Sequence, residues 1–371
     1  MNRVHLAELE ISNFRNLENL AIKPHKRFNI VAGRNGMGKT NLLEAIYLMG
    51  ALRSFRTTAR SELVGYEKEG ARVRGVFSGA AAGLCCEIGL TDKKRVIRVD
   101  GKTASAGGEH FRSLPMVLFH PATMALVQTG PDTRRRFLDR ALFQADMTYP
   151  RLHRDYMTAL KSRNKLLKQS PPAKDAIAAF DGQLSSIGAR ISEKRAGIIE
   201  TMGPFFKEAV DRIGVGLSAI VSYKPKVEGG EEEILEALAR RLELDLIRGY
   251  TSVGPHADDM EIEVNGRPAR RFASQGQQRM IALSLKIAET NVLAQTTERI
   301  PILLLDDISS ELDRERNRQL FEFLGGVGGQ VFITTTHFDH ILLEGERMDF
   351  VMQDGVLTDR PAIPANCLIR S

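Results

Sequence analysis

The sequence has no tryptophan, only three cysteines (Cys85, Cys86 and Cys367), and 6% aromatic residues. The cysteines form neither a C-x-x-C pair nor an even framework. This argues against a disulfide-stapled secreted scaffold, against redox or zinc chemistry, and for a reducing cytoplasm. With so few aromatic rings, base stacking is a poor candidate for the main affinity term of any nucleic-acid contact. No run of about 18 apolar residues occurs, and the N-terminus mixes Glu8 and Glu10 with short apolar stretches. Neither a membrane span nor a signal peptide is therefore expected. Internal repeats and low-complexity tracts are also missing. What remains is a 371-residue chain, long enough for a full core and for two domains. Its net charge of +6 and pI near 9.2 suit an anionic partner, although solubility alone accounts for a charge of that size.

Residues 4–12 alternate as V-H-L-A-E-L-E-I-S, and residues 28–32 form a short apolar run that ends at glycine. Both predict strands. The second leads into residues 33–40, G-R-N-G-M-G-K-T, after which 41–52 carries apolar residues at helical spacing. Strand, glycine-rich loop and helix follow in the order a phosphate loop requires. Gly33, Gly36 and Gly38 would let backbone N–H groups curl around phosphate oxygens without a Cβ clash. Lys39 would supply a point charge, and Thr40 a hydroxyl for Mg2+. The candidate cofactor-binding run is thus Gly33, Arg34, Asn35, Gly36, Met37, Gly38, Lys39, Thr40 and Asn41, with ATP and Mg2+ as the cofactors.

Residues 302–305 form an apolar run of the kind buried in a parallel sheet. Asp306 follows at its C-terminal edge, where α/β sheets bind ligands, and is the candidate metal carboxylate beside Thr40. Asp307 comes next and could serve as general base toward water. Either aspartate alone could simply cap a turn. Ser274 and Gln277 form an S-x-x-Q capping box ahead of an amphipathic helix, which leaves a positive dipole end. Gly276 lies within that cap. An ordinary capped helix gives the same pattern.

Elsewhere, residues 71–100 read as a β-meander with Asp100-Gly101 as a turn, and Met260, Ile262 and Val264 alternate ahead of an Asn265-Gly266 hairpin signal. From 134 to about 212 the pattern is helical, broken by Pro150 and by Ser170-Pro171-Pro172. Ile177, Phe180, Leu184, Ile187, Ile191 and Ile198 trace an apolar seam interrupted by Lys194. It suits a core-facing helix better than a coiled coil, which needs more clean heptads. A solvated turn at 229–233 precedes another helix from Ile234 to Leu244.

In combination, residues 274–279, S-Q-G-Q-Q-R, resemble the signature motif of ABC-type ATPases, and Ser310-Glu311-Leu312-Asp313 resembles their D-loop. That resemblance implies a dimer with ATP sandwiched between subunits, the signature Ser274 completing the site in trans. His337, directly after the apolar run 331–333, stands where their switch histidine would lie. A histidine at a strand end is otherwise an incidental loop residue.

Asn13-Phe14-Arg15-Asn16 and residues 38–46 narrow the resemblance to the SMC-like branch. Residues 130–139, G-P-D-T-R-R-R-F-L-D, Gly254-Pro255-His256 and the S-E-L-D run are similar to the RecF family, bacterial recombination mediators, from Val4 to about Gly355. Ala122, Thr129 and Ala257 depart from that family's pattern. The implied fold is α/β: an ABC-type P-loop ATPase head with a mixed sheet at residues 1–112 and 250–371, and an inserted, mainly helical arm at 113–249. The implied function is binding of DNA at single-strand/duplex junctions in gap repair by an ATP-gated homodimer. RecO and RecR would be partners, with RecA loading, a contribution to the SOS response, and slow, DNA-stimulated hydrolysis. A transporter ATPase subunit would share the nucleotide motifs, and a non-hydrolysing DNA scaffold would share everything but turnover.

Between 134 and 168 basic residues far outnumber acidic ones. A charged helix is ordinarily a solvated face. The one-signed imbalance on the inserted domain nonetheless makes Arg134, Arg135, Arg136, Arg151, Arg154, Lys161, Arg163 and Lys165 the candidate DNA contacts, reading backbone and shape rather than sequence.

Overall fold

A computed structural model describes residues 2–79, 83–104, 114–213, 216–307, 314–343 and 345–360. The chain divides into two compact units, Met1–Pro121 with Thr297–Ser371, and Ala122–Thr296.

The first unit opens with β1 (Asn2–Phe14), β2 (Leu17–Ile22) and β3 (Phe28–Ala32), then helix α1 (Lys39–Ala51). A meander follows: β4 (Ala71–Gly79), β5 (Leu84–Leu90), β6 (Arg95–Val99) and β7 (Lys102–Thr103), and then β8 (Met116–Phe119). Asp100 and Gly101, both at positive φ (49° and 76°), make the expected tight turn between β6 and β7.

The second unit holds helices α2 (Ala125–Gln128), α3 (Pro131–Ala145), α4 (Tyr149–Leu166) and α5 (Lys174–Ile213), then strand β9 (Ala219–Lys224) and helix α6 (Glu231–Arg248). Strands β10 (Asp259–Val264) and β11 (Arg267–Pro268) and helices α7 (Ala269–Phe272) and α8 (Gln275–Thr297) complete it. The chain then returns to the first unit with β12 (Arg299–Ile300), β13 (Ile302–Asp306), α9 (Arg314–Val327), β14 (Val331–Thr335), β15 (Arg347–Gln353) and β16 (Val356–Asp359).

Two sheets form the first unit. One is largely antiparallel, in the order β12-β1-β4-β5-β6-β7 with β2 also on β1; the other runs β16-β15-β3-β14-β13-β8, parallel except for β16. Strands β3, β8, β13 and β14 are buried at every position, as strands covered on both faces must be. Helix α1 contacts strands of both sheets, and its residues from Leu42 to Gly50 are all buried. An all-round apolar helix is stable only when enclosed in this way.

The unit boundaries differ from those expected at 112/113 and 249/250. Residues 250–296 cluster with the second unit. Strand β10 pairs along its length with β9, Arg134 on α3 forms a bidentate ion pair with Asp259 at 2.7–2.8 Å, and Gln128 bonds Gln278 on α8 at 3.0 Å. The chain breaks do fall where proline predicts: Pro150 lies in the first turn of α4, and α5 begins just after Pro172. The apolar seam is only part of the buried face of α5. Ile177, Leu184, Ile191 and Ile198 are buried, Phe180 and Ile187 are half-buried, and Asp181, Ser185, Gly188 and Arg195 fill the same face.

Those buried polar groups are paired. Asp139 accepts hydrogen bonds from Tyr149 Oη at 2.6 Å and Arg195 Nη2 at 2.8 Å, and lies 3.5 Å from His153 Nε2. Burial would raise its pKa, but contacts with His153, Arg195 and Tyr149 outweigh that and hold it down at about 2, against an ordinary 3.8. A depressed carboxylate stabilises the fold fully above its unfolded pKa and loses that contribution as pH falls through the folded value. An Asp139→Asn variant should therefore be less stable by about 2 to 3 kcal/mol above pH ~4. The gap should narrow as pH falls toward 2, measured by urea unfolding over that range.

Candidate nucleotide-binding site

Strand β3 delivers the glycine-rich loop, and one hydrogen bond, Gly33 N–H to Thr335 O at 3.2 Å, prolongs its ladder with β14 into the loop. Gly33 admits no side chain, because a Cβ there would lie 2.3 Å from the Met352 carbonyl oxygen. Gly36 and Gly38 turn the loop at φ of 85° and 114°. Helix α1 then starts at Lys39 with no side-chain cap. Its first N–H groups carry the positive end of the helix dipole and remain for an anion. Arg34, Asn35 and Gly36 form the exposed tip.

Lys39 Nζ donates to the loop carbonyls of Gly33 at 2.5 Å and Arg34 at 3.0 Å. Burial lowers its pKa, and the carboxylates of Asp307 and Asp306 oppose that shift. Thr40 Oγ1 lies 2.9 and 3.0 Å from the two carboxylate oxygens of Asp306, so the hydroxyl and the carboxylate expected to share a cation already face each other. Asp306 is also fixed by Thr334 Oγ1 at 2.9 Å and approached by His120 Nε2 at 3.5 Å. Among the described residues no three His, Cys, Asp or Glu side chains form a metal cage. A hydroxyl, one carboxylate and a ligand's own phosphates nevertheless make a donor set that fits Mg2+, which keeps hard oxygen ligands and several waters. Asp307 adopts a positive φ of 48°, and its N–H donates to Thr334 Oγ1 at 3.0 Å. His337 is exposed at the end of β14, with its ring 5.7 Å from that of His340.

A second layer supports the loop, and of its residues only Asn41 is a nucleotide-binding candidate from the sequence. Asn16 Nδ2 donates to Met37 O at 3.2 Å, Asn41 Nδ2 donates to Asn16 Oδ1 at 2.7 Å, and Arg56 donates to Asn41 Oδ1 at 2.6 Å. Arg15 and Ser54 bind the fully buried carboxylate of Glu44 on α1. The Asn13-Phe14-Arg15-Asn16 motif thus acquires a physical role: it ties the turn after β1 to the loop and to α1. His120 carried no local signal at all.

Ser274, Gly276 and Gln277 belong to the second unit, whereas Lys39, Thr40 and Asp306 belong to the first. The capping box forms as expected: Ser274 N–H donates to Gln277 Oε1 at 2.8 Å, and Gln277 N–H donates to Ser274 Oγ at 3.3 Å. Residues 310–313 lie outside the described residues.

The basic run between 134 and 168 separates into two groups. Arg163 is fully buried and bonds Asp181, Asp245 and Thr251, Arg134 is buried against Asp259, and Arg135 is held by the Asp258 carbonyl and Asp132. Burial in low dielectric demands such pairing, so Arg134 and Arg163 are bound up inside the second unit rather than presented to phosphates. Arg136, Arg151, Arg154, Lys161 and Lys165 are exposed. On α4, positions 151, 154, 158, 161 and 165 follow a three-four spacing and share one face.

Two glycine substitutions separate steric from conformational demands in the loop. Gly36→Ala meets no atom within 4 Å and should cost about 1–2 kcal/mol for its positive φ. Gly33→Ala must displace backbone and should lower the thermal midpoint by clearly more, measured calorimetrically on both variants.

Residues 5–356 match the family model described as RecF/RecN/SMC N terminal domain. The DNA replication and repair protein RecF of Myxococcus xanthus is 40% identical over 385 residues, covering 98% of this chain and 100% of that protein. A solved structure of the recombination mediator protein RecF with ATP in the RecFOR pathway superposes with a TM-score of 0.89 at 33% identity, covering 96% of this chain and 98% of that one. A second RecF structure, with the ligand designated ATPrS, gives 0.87 at 32% over the same shares. The α/β architecture is therefore that of the ABC-type ATPase head of SMC and RecF proteins, and the chain belongs to the RecF family of DNA replication and repair proteins.

Proposed function

We propose that this chain is an ATP-gated DNA-binding mediator of recombinational repair, and that its nucleotide site lies at the residue 33–40 loop. The observation that carries the reading is the pairing of Thr40 with Asp306 beside an uncapped helix N-terminus. When bound, Mg-ATP would supply a labile γ-phosphoryl group and a cation that draws the flanking oxygens together. The backbone N–H groups of the loop would hold the phosphates, Lys39 would turn from its carbonyl partners toward them, and Thr40 and Asp306 would hold the cation. Asp307 would orient and deprotonate water, and His337 would contact the terminal phosphate. Ser274, Gly276 and Gln277 of a second copy would close the site from the opposite side. ATP that binds the closed dimer in preference to the monomer stabilises it by mass action.

Hydrolysis in this reading is slow, DNA-stimulated and used to release the dimer. Family membership supports DNA repair over a transporter subunit, and no described helix is long and apolar enough to cross a membrane. The same membership supports RecO and RecR as partners, RecA loading at gapped or junction DNA, and a contribution to the SOS response. The DNA surface we propose is the exposed set Arg136, Arg151, Arg154, Lys161 and Lys165.

Light scattering should give a dimer with Mg-ATP and a monomer with ADP or no nucleotide, and Lys39→Ala should stay monomeric throughout. A monomer at saturating Mg-ATP with duplex present would refute the gate. Binding to blunt duplex should weaken with salt by about 0.9 log units per log unit for each phosphate neutralised. Changing Lys161 and Lys165 together to Gln should reduce that slope by about two, measured by anisotropy at several salt concentrations.

A further inference from the structure

A cavity of about 430 Å3 within the second unit is lined by Lys226, Arg241, Arg248, Tyr250, Ser252 and His256 among others. We infer that it is a binding site for a single unpaired nucleotide of a nucleic-acid strand, with Tyr250 under the base and Arg241, Arg248 and Lys226 around the phosphate. The inference rests on the DNA reading above and adds a second, chemically distinct contact to it.

The argument starts from charge. Arg241 and Arg248 stand one heptad apart on α6 and are exposed, and among the described residues neither makes an ion pair; Lys226 is exposed just beyond β9. Among the described residues no carboxylate lines the cavity. Three cations gathered at one recess repel one another, and an added anion relieves that repulsion. Tyr250 adds a flat apolar face, 49% exposed, in a chain that otherwise has few aromatic rings to offer. The Ser252 hydroxyl, another lining group, is buried and makes no hydrogen bond within the described residues. A buried hydroxyl of this kind calls for a partner, which a water, an ion or a ligand can supply. A positive recess with an aromatic wall and a spare hydroxyl matches a base, a sugar and a phosphate.

The floor is rigid. Burial lowers the pKa of His256; its Nε2 donates to the Thr251 carbonyl at 2.9 Å and its Nδ1 lies 2.7 Å from Tyr156 Oη. Thr251 is held in turn by Asn164 and by the buried Arg163. Gly254, at φ 116°, leaves room for Tyr156 Oη, which a Cβ would approach to 2.6 Å. The Gly254-Pro255-His256 motif thus shapes this cavity and pins it to α4.

Position supplies the partner. The exposed basic face of α4 runs from Arg151 to Lys165 and on to Lys168, whose side chain packs against Gly249, next to Tyr250. A strand whose phosphates follow that face arrives at the cavity mouth.

The test uses the full chain, a blunt duplex and the same duplex with a short unpaired tail, compared by fluorescence anisotropy at fixed salt. Wild type should favour the tailed duplex about tenfold. Tyr250→Ala should erase that preference while leaving blunt binding intact, and Tyr250→Phe should retain it. The Arg241→Gln, Arg248→Gln double variant should lower the salt dependence of tailed-duplex binding by about one unit per cation removed. Equal affinity for the two duplexes in wild type, or a preference that survives Tyr250→Ala, overturns the site alone. Failure of wild type to bind either duplex overturns the DNA reading and this inference with it.

Discussion

The contact between Thr40 and Asp306, 266 residues apart in the chain, is the constraint on which the proposed nucleotide site depends. It exists because β3 and β13 lie on either side of β14 in one parallel sheet, so that the residues after each strand emerge at the same edge. Parallel pairing sets that register: Ala32 stands opposite Thr335, and Asp306 opposite Thr334. Thr334 then serves both aspartates, donating its hydroxyl to Asp306 and accepting the Asp307 N–H. A strand slip of one residue would turn these side chains to the other face and separate the hydroxyl from the carboxylate. Enclosure of α1 between two sheets makes such a slip costly, because its apolar surface has no alternative burial.

The second unit is organised differently. Its helices meet around buried charge: Arg163 with Asp181 and Asp245, Arg195 with Asp139, Arg134 with Asp259. Each pair joins segments distant in sequence, and removing one partner strands the other in low dielectric. These pairs fix how α3, α4, α5, α6 and β10 sit together, which leaves the outward cations of α4 and α6 on a stiff support. The basic character seen in the sequence is thus divided between interior ion pairs that hold the arm and exposed groups, of which Arg151 and Arg154 share Asp155.

What the sequence made legible was local. The phosphate loop, the strand before Asp306, the Ser274–Gln277 capping box and the Asn265-Gly266 hairpin each depend on neighbours within a few residues, so spacing alone identifies them. Features that depend on distant partners were not legible. Arg163 sits in a basic run and looks like a surface cation; only Asp245 and Thr251, 82 and 88 residues later, make it a core residue. The clamp of Asn16 on the loop, the approach of His120 to Asp306, and the packing of residues 250–296 with the arm likewise arise from tertiary pairing that no periodicity encodes. The same limit hid the recess beside Tyr250, whose cations come from separate segments around β9 and α6.

The central claim is that Thr40 and Asp306 together hold the cation of a bound Mg-ATP. Calorimetric titration of ATP into wild type and Asp306→Ala, each with Mg2+ and with EDTA, tests it most directly. The account requires wild-type affinity to rise with Mg2+ and that gain to vanish in the variant. An Asp306→Ala protein that keeps the full Mg2+ dependence would contradict it.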